Sequence, residues 1–114
     1  MSVGSAKQTQ GFADVFGGRQ FNTIDYSGPT AYNNTGTPAT SGDTMDPMMF
    51  GFKNTIQELF NGSIDQTGAY KVLAQPINNG ITVWRLRWFS VAGTEVANGV
   101  NLSTYTVKLS AIGF

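Results

Sequence analysis

Four cationic side chains in the second half of the chain are the residues whose type and spacing most clearly suggest chemistry. They are Lys71, Arg85, Arg87 and Lys108. In the segment 81–90 apolar and cationic residues alternate, so both arginines point away from the side that carries Trp84 and Trp88. The two lysines lie on the polar side of their own predicted strands by the same alternation. If these strands are neighbours, the cations share one sheet face with Leu73 and Phe89, and arginine beside aromatic residues is typical of a protein interface. An ordinary solvated face, whose charges deter edge pairing, is the alternative interpretation.

A catalytic or metal-binding constellation is hard to build from this composition. The chain has no His and no Cys, which excludes a disulfide framework, a zinc site, a Cys nucleophile and an imidazole base. Asp43 and Asp46 lie close together in a polar segment and could bind a hard cation such as calcium. The oxygen-rich spacing of a calcium loop is absent, however, and turn or cap roles are commoner for Asp. We therefore predict a protein that is not an enzyme and that holds no cofactor and no metal.

The composition indicates a nearly neutral, hydrogen-bonding surface. Charged residues make up 12% of the chain, whereas ordinary globular domains carry about 25%. Gly, Thr, Asn, Ser and Gln supply 50 of the 114 positions, and seven cations balance seven carboxylates, which favours association over repulsion. Residues 1–52 carry two cations against four carboxylates, and residues 53–114 carry five against three. Such a bipolar module can pack head-to-tail or against an acidic partner. A strong basic excess is missing, so we expect no nucleic-acid partner.

Neither a membrane span nor a targeting segment is visible in the sequence. No stretch approaches the roughly 18 consecutive apolar residues that a spanning helix needs. Residues 1–7 lack a basic segment followed by an apolar run, so we expect no signal peptide and no membrane partner.

Two segments outside the main predicted strands are expected to contact neighbouring molecules. Residues 1–18 are predicted to form an extended N-terminal arm ahead of a single domain at 19–114. The apolar anchors of the arm are Phe12, Val15 and Phe16. Their spacing also fits one face of a short helical turn. Residues 27–47 form a long loop rich in Gly, Pro, Asn and Thr, in which Tyr32 is a further candidate anchor, and ordered loops of this length are usually functional.

The rest of the sequence predicts an all-β fold. Alternating apolar residues and Asn-Gly turns mark short strands throughout the domain. The predicted strands are 19–26, 49–60, 69–76, 81–90, 94–97 and 105–112. The segment 49–60 also fits a helix by the spacing of its apolar residues. Residues 65–70 are similar to a tyrosine corner that is one residue too long. We predict a single antiparallel β-sandwich or small barrel of the jelly-roll or immunoglobulin-like kind.

The aromatic residues offer a second binding hypothesis, a platform on which a saccharide stacks. Alternation places most of them in the core, where each buries a large area. The set comprises Phe50, Phe52, Tyr70, Trp84, Trp88 and Tyr105. Tyr26 and Tyr32, which flank or lie in the long loop, are the expected ligand contacts if a saccharide binds.

Two segments in the last part of the chain resemble a known class of protein. They read ITVWRLRWF at 81–89 and GTEVANGVNLS at 93–103. In these segments, and in its neutral, Cys-free and Gly/Thr/Asn-rich composition, the chain resembles small all-β virion structural proteins of tailed bacteriophages. The resemblance is to proteins of the head decoration or capsid-stabilising kind.

The resemblance implies a structural role on the outer capsid surface of a virion. It implies a capsid decoration (cement) protein that bridges adjacent subunits of the major capsid protein and that self-associates, with a trimer favoured. Such a protein is made in the host cytoplasm and performs no chemistry, and the arm at 1–18 and the loop at 27–47 are the expected clamps. A tail-fibre or spike module that contacts host saccharide, or a head-completion protein, is the alternative.

Overall fold

The computed structural model describes residues 4–8, 14–16, 19–60, 64–78 and 82–114, and within these ranges eight strands form two antiparallel sheets. The strands are β1 (Ser5–Gln8), β2 (Asp14–Phe16), β3 (Arg19–Ser27), β4 (Asp43–Thr44), β5 (Ile56–Leu59), β6 (Tyr70–Asn78), β7 (Thr82–Ser90) and β8 (Thr106–Gly113). The predicted antiparallel all-β class is confirmed, and the described strands do not close into a barrel. No helix in these ranges is long and apolar enough to cross a membrane.

Sheet A is built around β3 and β8. Its strand order is β1–β3–β8–β5, and β2 also pairs with β3. Both central strands alternate buried residues with half-buried or exposed ones, as a strand with one face on a core must. Opposite pairs such as Ile24 with Leu109 and Tyr26 with Val107 are buried on the inner face.

The outer face of sheet A carries three polar cross-strand pairs, which we call the polar ladder. The pairs are Thr23–Ser110 (Oγ1 to Oγ, 3.0 Å), Asp25–Lys108 (Oδ1 to Nζ, 2.7 Å) and Ser27–Thr106 (Oγ to Oγ1, 3.2 Å). Each pair joins residues that lie opposite each other in the register of β3 and β8. Cross-strand neighbours of this kind stabilise a sheet, and here they also satisfy each other's polar groups.

Sheet B has β7 at its centre, in the order β4–β7–β6. The inner side of β7 carries Trp84, Leu86 and Trp88, which are exposed by 6%, 0% and 0%, so the alternation predicted for this strand is confirmed. These side chains join the inner residues of sheet A in one hydrophobic cluster. The indole N–H of Trp84 donates to the carbonyl oxygen of Ile56 on β5 (3.1 Å), which links the two sheets directly.

The segment 49–60 is neither the continuous strand nor the helix that the sequence suggests. A 3₁₀ turn occupies Pro47–Phe50, and the carboxylate of Asp46 caps it by accepting the N–H of Met48 (2.9 Å). Gly51 ends the turn in the left-handed conformation (φ 81°), which costs glycine little. The strand prediction is therefore wrong before residue 56, because a cap and a glycine interrupt the apolar run.

The predicted strand at 94–97 is reduced to a single bridge, in which Glu95 lies opposite Phe89. Hydrogen bonds from Ser90 N to Thr94 O (2.8 Å) and from Val96 N to Trp88 O (3.0 Å) flank this bridge. The chain then turns at Gly99, where φ is 87°, too soon for a longer ladder to form.

The segment predicted as an N-terminal arm contributes two strands to sheet A. β1 pairs with residues 24–27 of β3, and β2 pairs with residues 19–21. In β2, Val15 and Phe16 lie opposite Gln20 and Arg19, whereas Phe12 falls outside the described residues. The described parts of the arm thus lie along the edge of the protein's own sheet.

The long loop at 27–47 is fastened to its own domain by hydrogen bonds. Tyr32 N donates to Val100 O (2.9 Å), and Gly99 N donates to Tyr32 O (2.8 Å). The side-chain Nδ2 of Asn34 donates to Val96 O (2.9 Å), and β4 then pairs with β7. Contacts within the domain therefore account for the order of this loop, which was predicted to act as a clamp on a neighbouring molecule.

Candidate partner-binding face

Three of the four cations predicted to share a face lie on the outer side of sheet B. Lys71 is on β6, and Arg85 and Arg87 are on β7, where the inner positions are taken by the buried residues. Lys108 does not join them, because β8 belongs to sheet A and pairs with β3 and β5. The condition that all these strands are neighbours therefore fails for β8, and the Lys108 ammonium instead pairs with Asp25 in the polar ladder.

Apolar side chains surround Lys71 on the outer side of sheet B, and we call this group the sheet-B face. Its members are Ile64, Lys71, Leu73, Phe89 and Val91. Lys71 lies opposite Phe89 in the β6–β7 register and opposite Ile64 on its other side. Ile64 is 54% exposed, Val91 48% and Leu73 37%, while Phe89 is half-buried. A groove of about 370 Å³ runs past Lys71, Leu73 and Phe89. Such a cluster of exposed apolar groups on one face marks an interaction site.

Lys71 is the cation of this face that stays available. Its side chain is exposed, and no carboxylate of the described residues forms an ion pair with it. Its charge therefore stands within an apolar surface, and no described carboxylate lies within salt-bridge distance of it.

Arg87 is held in place by contacts within the protein. Its Nη2 lies 3.2 Å from Oε1 of Glu95, and the side chains of the two residues are only 14% and 15% exposed. The guanidinium carbon lies 4.9 Å from the ring centroid of Phe89, a distance at which cation and ring attract. Arg87 therefore fixes the orientation of Phe89 and its own charge is largely balanced by Glu95.

Arg85 fastens the long loop. Its Nη1 lies 3.2 Å from Thr40 O and 3.5 Å from Gly42 O. Of the two arginines predicted as interface residues, neither is a freely exposed cation: one orders a loop and the other orders an aromatic ring.

Tyr32, predicted as a partner anchor, is buried with an exposure of 1%. Its hydroxyl donates to Oε2 of Glu95 (2.8 Å) and accepts a hydrogen bond from the backbone N–H of Trp88 (3.1 Å). Burial raises the pKa of Tyr32, and the hydrogen bond to Glu95 raises it further, although the Trp88 N–H lowers it. Tyr32 therefore acts as an internal support for Glu95, which in turn holds Arg87.

Glu95, Ile64 and Val91 belong to this region but were not singled out from the sequence. Glu95 could have been found by extending the β7 alternation across the Gly93 turn, since it ends up opposite Phe89. Ile64 and Val91 lie outside the predicted strands, where single apolar residues give no periodic signal.

The two carboxylates considered for a cation have separate roles. Asp43 is 0% exposed, and its Oδ2 accepts a hydrogen bond from the Tyr26 hydroxyl (2.6 Å). Burial raises the pKa of Asp43 to about 6, against the smaller lowering effects of the Tyr26 hydrogen bond, the Gly4 amide and the Arg85 charge. Asp46 caps the 3₁₀ turn. Among the described residues no three metal-ligating side chains come together.

Asp65 organises the turn that resembled a tyrosine corner. Its carboxylate accepts four hydrogen bonds, from Thr67 N (2.6 Å), Thr67 Oγ1 (2.5 Å), Ala69 N (3.0 Å) and Tyr70 N (2.5 Å). Burial alone would raise the pKa of Asp65, but these donors outweigh it and lower the pKa below its usual value. The carboxylate, rather than the phenol of Tyr70, makes the turn.

The aromatic residues that were predicted as a saccharide platform do not form one. Phe50, Phe52, Trp84 and Trp88 are 0–6% exposed, and so are Tyr26 and Tyr32, the expected saccharide contacts. Tyr70 and Tyr105 are half-buried and pack edge to face with their ring centroids 4.8 Å apart. The saccharide hypothesis thus loses the side chains on which it depended.

Comparison with other proteins gives no relative: the chain matches no protein-family model, no curated protein sequence and no solved structure. Function must therefore be argued from the sheet-B face and the sequence segments described above.

Proposed function

We propose that this chain is a non-enzymatic structural protein of a virion, a capsid decoration protein that bridges adjacent subunits of the major capsid protein. The observation that carries the proposal is the sheet-B face, where exposed Ile64, Leu73 and Val91 surround Lys71 on a packed two-sheet body, and Lys71 forms no ion pair with any described residue. Exposed apolar groups gathered on one face are typical of a surface that binds another macromolecule. The resemblance of segments 81–89 and 93–103 supplies the class of particle.

The internal use of the ionisable groups supports a binding role over an enzymatic one. Asp65 organises a turn, Glu95 and Arg87 hold each other, and Asp43 bonds Tyr26. Each of these groups is committed to the protein's own architecture, whereas a catalytic group needs access to a substrate.

The two sheets are proposed to form a β-sandwich of the jelly-roll or immunoglobulin-like kind, in which both sheets pack on one hydrophobic core. The mechanism is mechanical: binding across a joint between capsid subunits adds free energy to their separation. Trimeric self-association would multiply weak contacts, since three linked sites gain avidity without any new contact.

The location within the virion has two readings. A tail-fibre, spike or head-completion protein would share the fold and differ in symmetry. The saccharide-binding version of this alternative has less support, because Tyr26 and Tyr32 are buried.

Quantitative mass spectrometry of gradient-purified virions from the source tests the proposal. The ratio of this chain to the major capsid protein should approach one-to-one, or one trimer per three-fold site. A handful of copies per particle would move the protein to the tail or the portal. Complete absence from virions would refute the proposal.

A further inference from the structure

We propose that the sheet-B face docks an acidic and partly apolar protein surface, in which a carboxylate of the partner pairs with Lys71 inside a ring of apolar contacts. The inference takes the identity of the particle from the proposed function, but the chemistry of the face stands on the contacts described here.

The position of Lys71 within the face indicates a carboxylate on the partner. Its ammonium group has no ion pair within the described residues, and Phe89, Ile64 and Leu73 lie around it. Apolar contacts that exclude water around a charge lower the local dielectric and strengthen its attraction to an opposite charge. The same contacts make an unmatched lysine costly to bury, so a partner without a carboxylate at this point is rejected.

Charge argues against a second copy of the chain as the occupant. The outer side of sheet B carries Lys71, Arg85 and Arg87 with Glu95 as its counter-charge, so cations are in excess there. A two-fold contact pairs a patch with itself, and it would bring these cations against their own equivalents. An acidic surface meets the excess with the opposite sign, which also favours fast association.

The face is preorganised for binding. Arg87 packs over Phe89 and is held by Glu95, and Tyr32 holds Glu95 from the other side. The ring of Phe89 is therefore fixed before a partner arrives, which reduces the entropy lost on association.

A protein partner fits the face better than a nucleic acid does. Nucleic-acid binding depends on neutralising several phosphates at once, whereas the part of this face that the structure describes offers one cation without an ion pair or carbonyl partner, Lys71, among apolar side chains. Arg85 and Arg87 are already bonded to loop carbonyls and to Glu95.

The inference is tested first on the full chain alone, with two synthetic peptides followed by backbone amide NMR shifts at neutral pH. One peptide alternates Glu with Leu and the other alternates Lys with Leu. The Glu-Leu peptide should shift the amides of residues 64, 71–73 and 89–91. Lys71→Glu should weaken its binding roughly tenfold or more, as losses of close interfacial charge pairs do. Lys71→Gln removes the charge without reversing it and serves as the second variant in case Lys71→Glu does not fold. Lys53→Glu is the control at another exposed lysine, and it should bind the peptide within about twofold of the unchanged protein. An equal response to both peptides, or equal behaviour of Lys71→Glu and Lys53→Glu, would overturn the inference.

The second arm separates this inference from the proposed function. The same variants are sedimented with nuclease-treated virions from which the protein has been removed. Binding that Lys71→Glu weakens and Lys53→Glu preserves supports both proposals. Binding that is indifferent to Lys71→Glu overturns the docking inference and leaves the virion role intact. A chain that binds the Glu-Leu peptide through the face but never sediments with virions keeps the inference and refutes the virion role. Dimerisation of the free chain that Leu73→Ser abolishes would identify a second copy as the occupant and overturn the inference.

Discussion

The Tyr26 hydroxyl donates a 2.6 Å hydrogen bond to Oδ2 of Asp43, and both residues are 0% exposed. The same hydroxyl accepts the N–H of Gly4 (2.8 Å), immediately before β1. The other carboxylate oxygen, Oδ1, has no hydrogen-bond partner among the described residues. The N-terminal strand, β3 and the end of the long loop therefore meet at one incompletely satisfied buried carboxylate.

Acidification is expected to stabilise the fold through Asp43. Its folded pKa of about 6 lies above the ordinary value of 3.8, so the folded state binds the proton more tightly than the unfolded chain does. This stabilisation is complete below the pKa of the unfolded chain and is lost as the pH rises through the pKa of the folded protein. The difference between the two pKa values corresponds to on the order of 3 kcal/mol in the free energy of unfolding. Urea unfolding at about pH 7.5 and about pH 5 should give a larger gain on acidification for the unchanged protein than for Asp43→Asn. Parallel pH profiles for the two proteins would contradict the prediction.

Replacing Asp65 should destabilise the turn at 65–70. Asp65→Asn keeps the shape of the side chain but places an amide N–H₂ against backbone N–H groups that now donate to a carboxylate. The expected loss is about 2–4 kcal/mol in the free energy of unfolding, because hydrogen bonds to a charged group are among the stronger ones. Asp46→Asn is the control, since asparagine is an equally good cap, and it should change stability by less than about 0.5 kcal/mol.

The Asp65 effect should also have the opposite pH dependence to that of Asp43. The folded pKa of Asp65 is lowered, so its stabilisation is present above the unfolded value near 3.8 and is lost as the pH falls through the folded one. The difference in stability between the unchanged protein and Asp65→Asn should therefore shrink in strong acid. A difference that stays constant down to about pH 2 would be the contrary result.

Removing the hydroxyl oxygen of Tyr32 should lower the free energy of unfolding by more than the loss of a single atom suggests. Tyr32→Phe leaves the backbone N–H of Trp88 and Oε2 of Glu95 without the hydroxyl group that both now bond. Each unsatisfied buried group costs about 1–3 kcal/mol, so the combined loss should be measurable by thermal unfolding. Tyr105→Phe, a half-buried tyrosine whose hydroxyl makes no hydrogen bond to the described residues, should be nearly neutral. Equal melting temperatures for the two variants would show that the Tyr32 hydroxyl has no structural role.

A methyl group at residue 4 should loosen β1. A Cβ added to Gly4 would meet the carbonyl oxygen of Ser27 and lie 2.7 Å from the ring carbon Cζ of Tyr26. Gly4→Ala should therefore speed amide hydrogen exchange in residues 5–8 while leaving β6 and β7 protected. Ser5→Ala, at an exposed neighbouring position, serves as the control. Unchanged exchange in Gly4→Ala would place the N-terminal strand further from Tyr26 than the hydrogen bond requires.

The strands with strict alternation could be predicted from the sequence, and the irregular segments could not. Trp84 and Trp88 were assigned to the core because the period of two places them on the apolar side of their strand, and both are buried. Lys108 was misplaced because alternation gives the face of a strand but not the sheet to which it belongs. The pairing of β8 with β3 joins residues more than 80 positions apart in sequence, such as Asp25 with Lys108, and no local pattern encodes such a contact.

The candidate site shows the same division. Lys71, Arg85 and Arg87 were predicted to share a face, and they do. Arg87 is paired with Glu95, and Arg85 is bonded to the carbonyl groups of residues 40 and 42. These partners come near only when the intervening segments fold, so the sequence could not predict them. Tyr32 was predicted as an anchor because it lies in the long loop, but four hydrogen bonds join it to residues 88, 95, 99 and 100, and its side chain is buried.

The polar ladder on sheet A limits how far such proteins could accumulate. Both sheets contribute their inner sides to one core, so the ladder lies on the outer side of sheet A and the sheet-B face on the outer side of sheet B, and among the described residues the two surfaces meet only where Ile64 borders Asp25 and Lys108. Its hydroxyls bond to each other and its ammonium pairs with a carboxylate. A second molecule that approached these strands would therefore find few polar side chains that still need a partner. If the chain binds through the sheet-B face as we propose, the polar ladder offers little to a second layer, and coverage should stop at a monolayer.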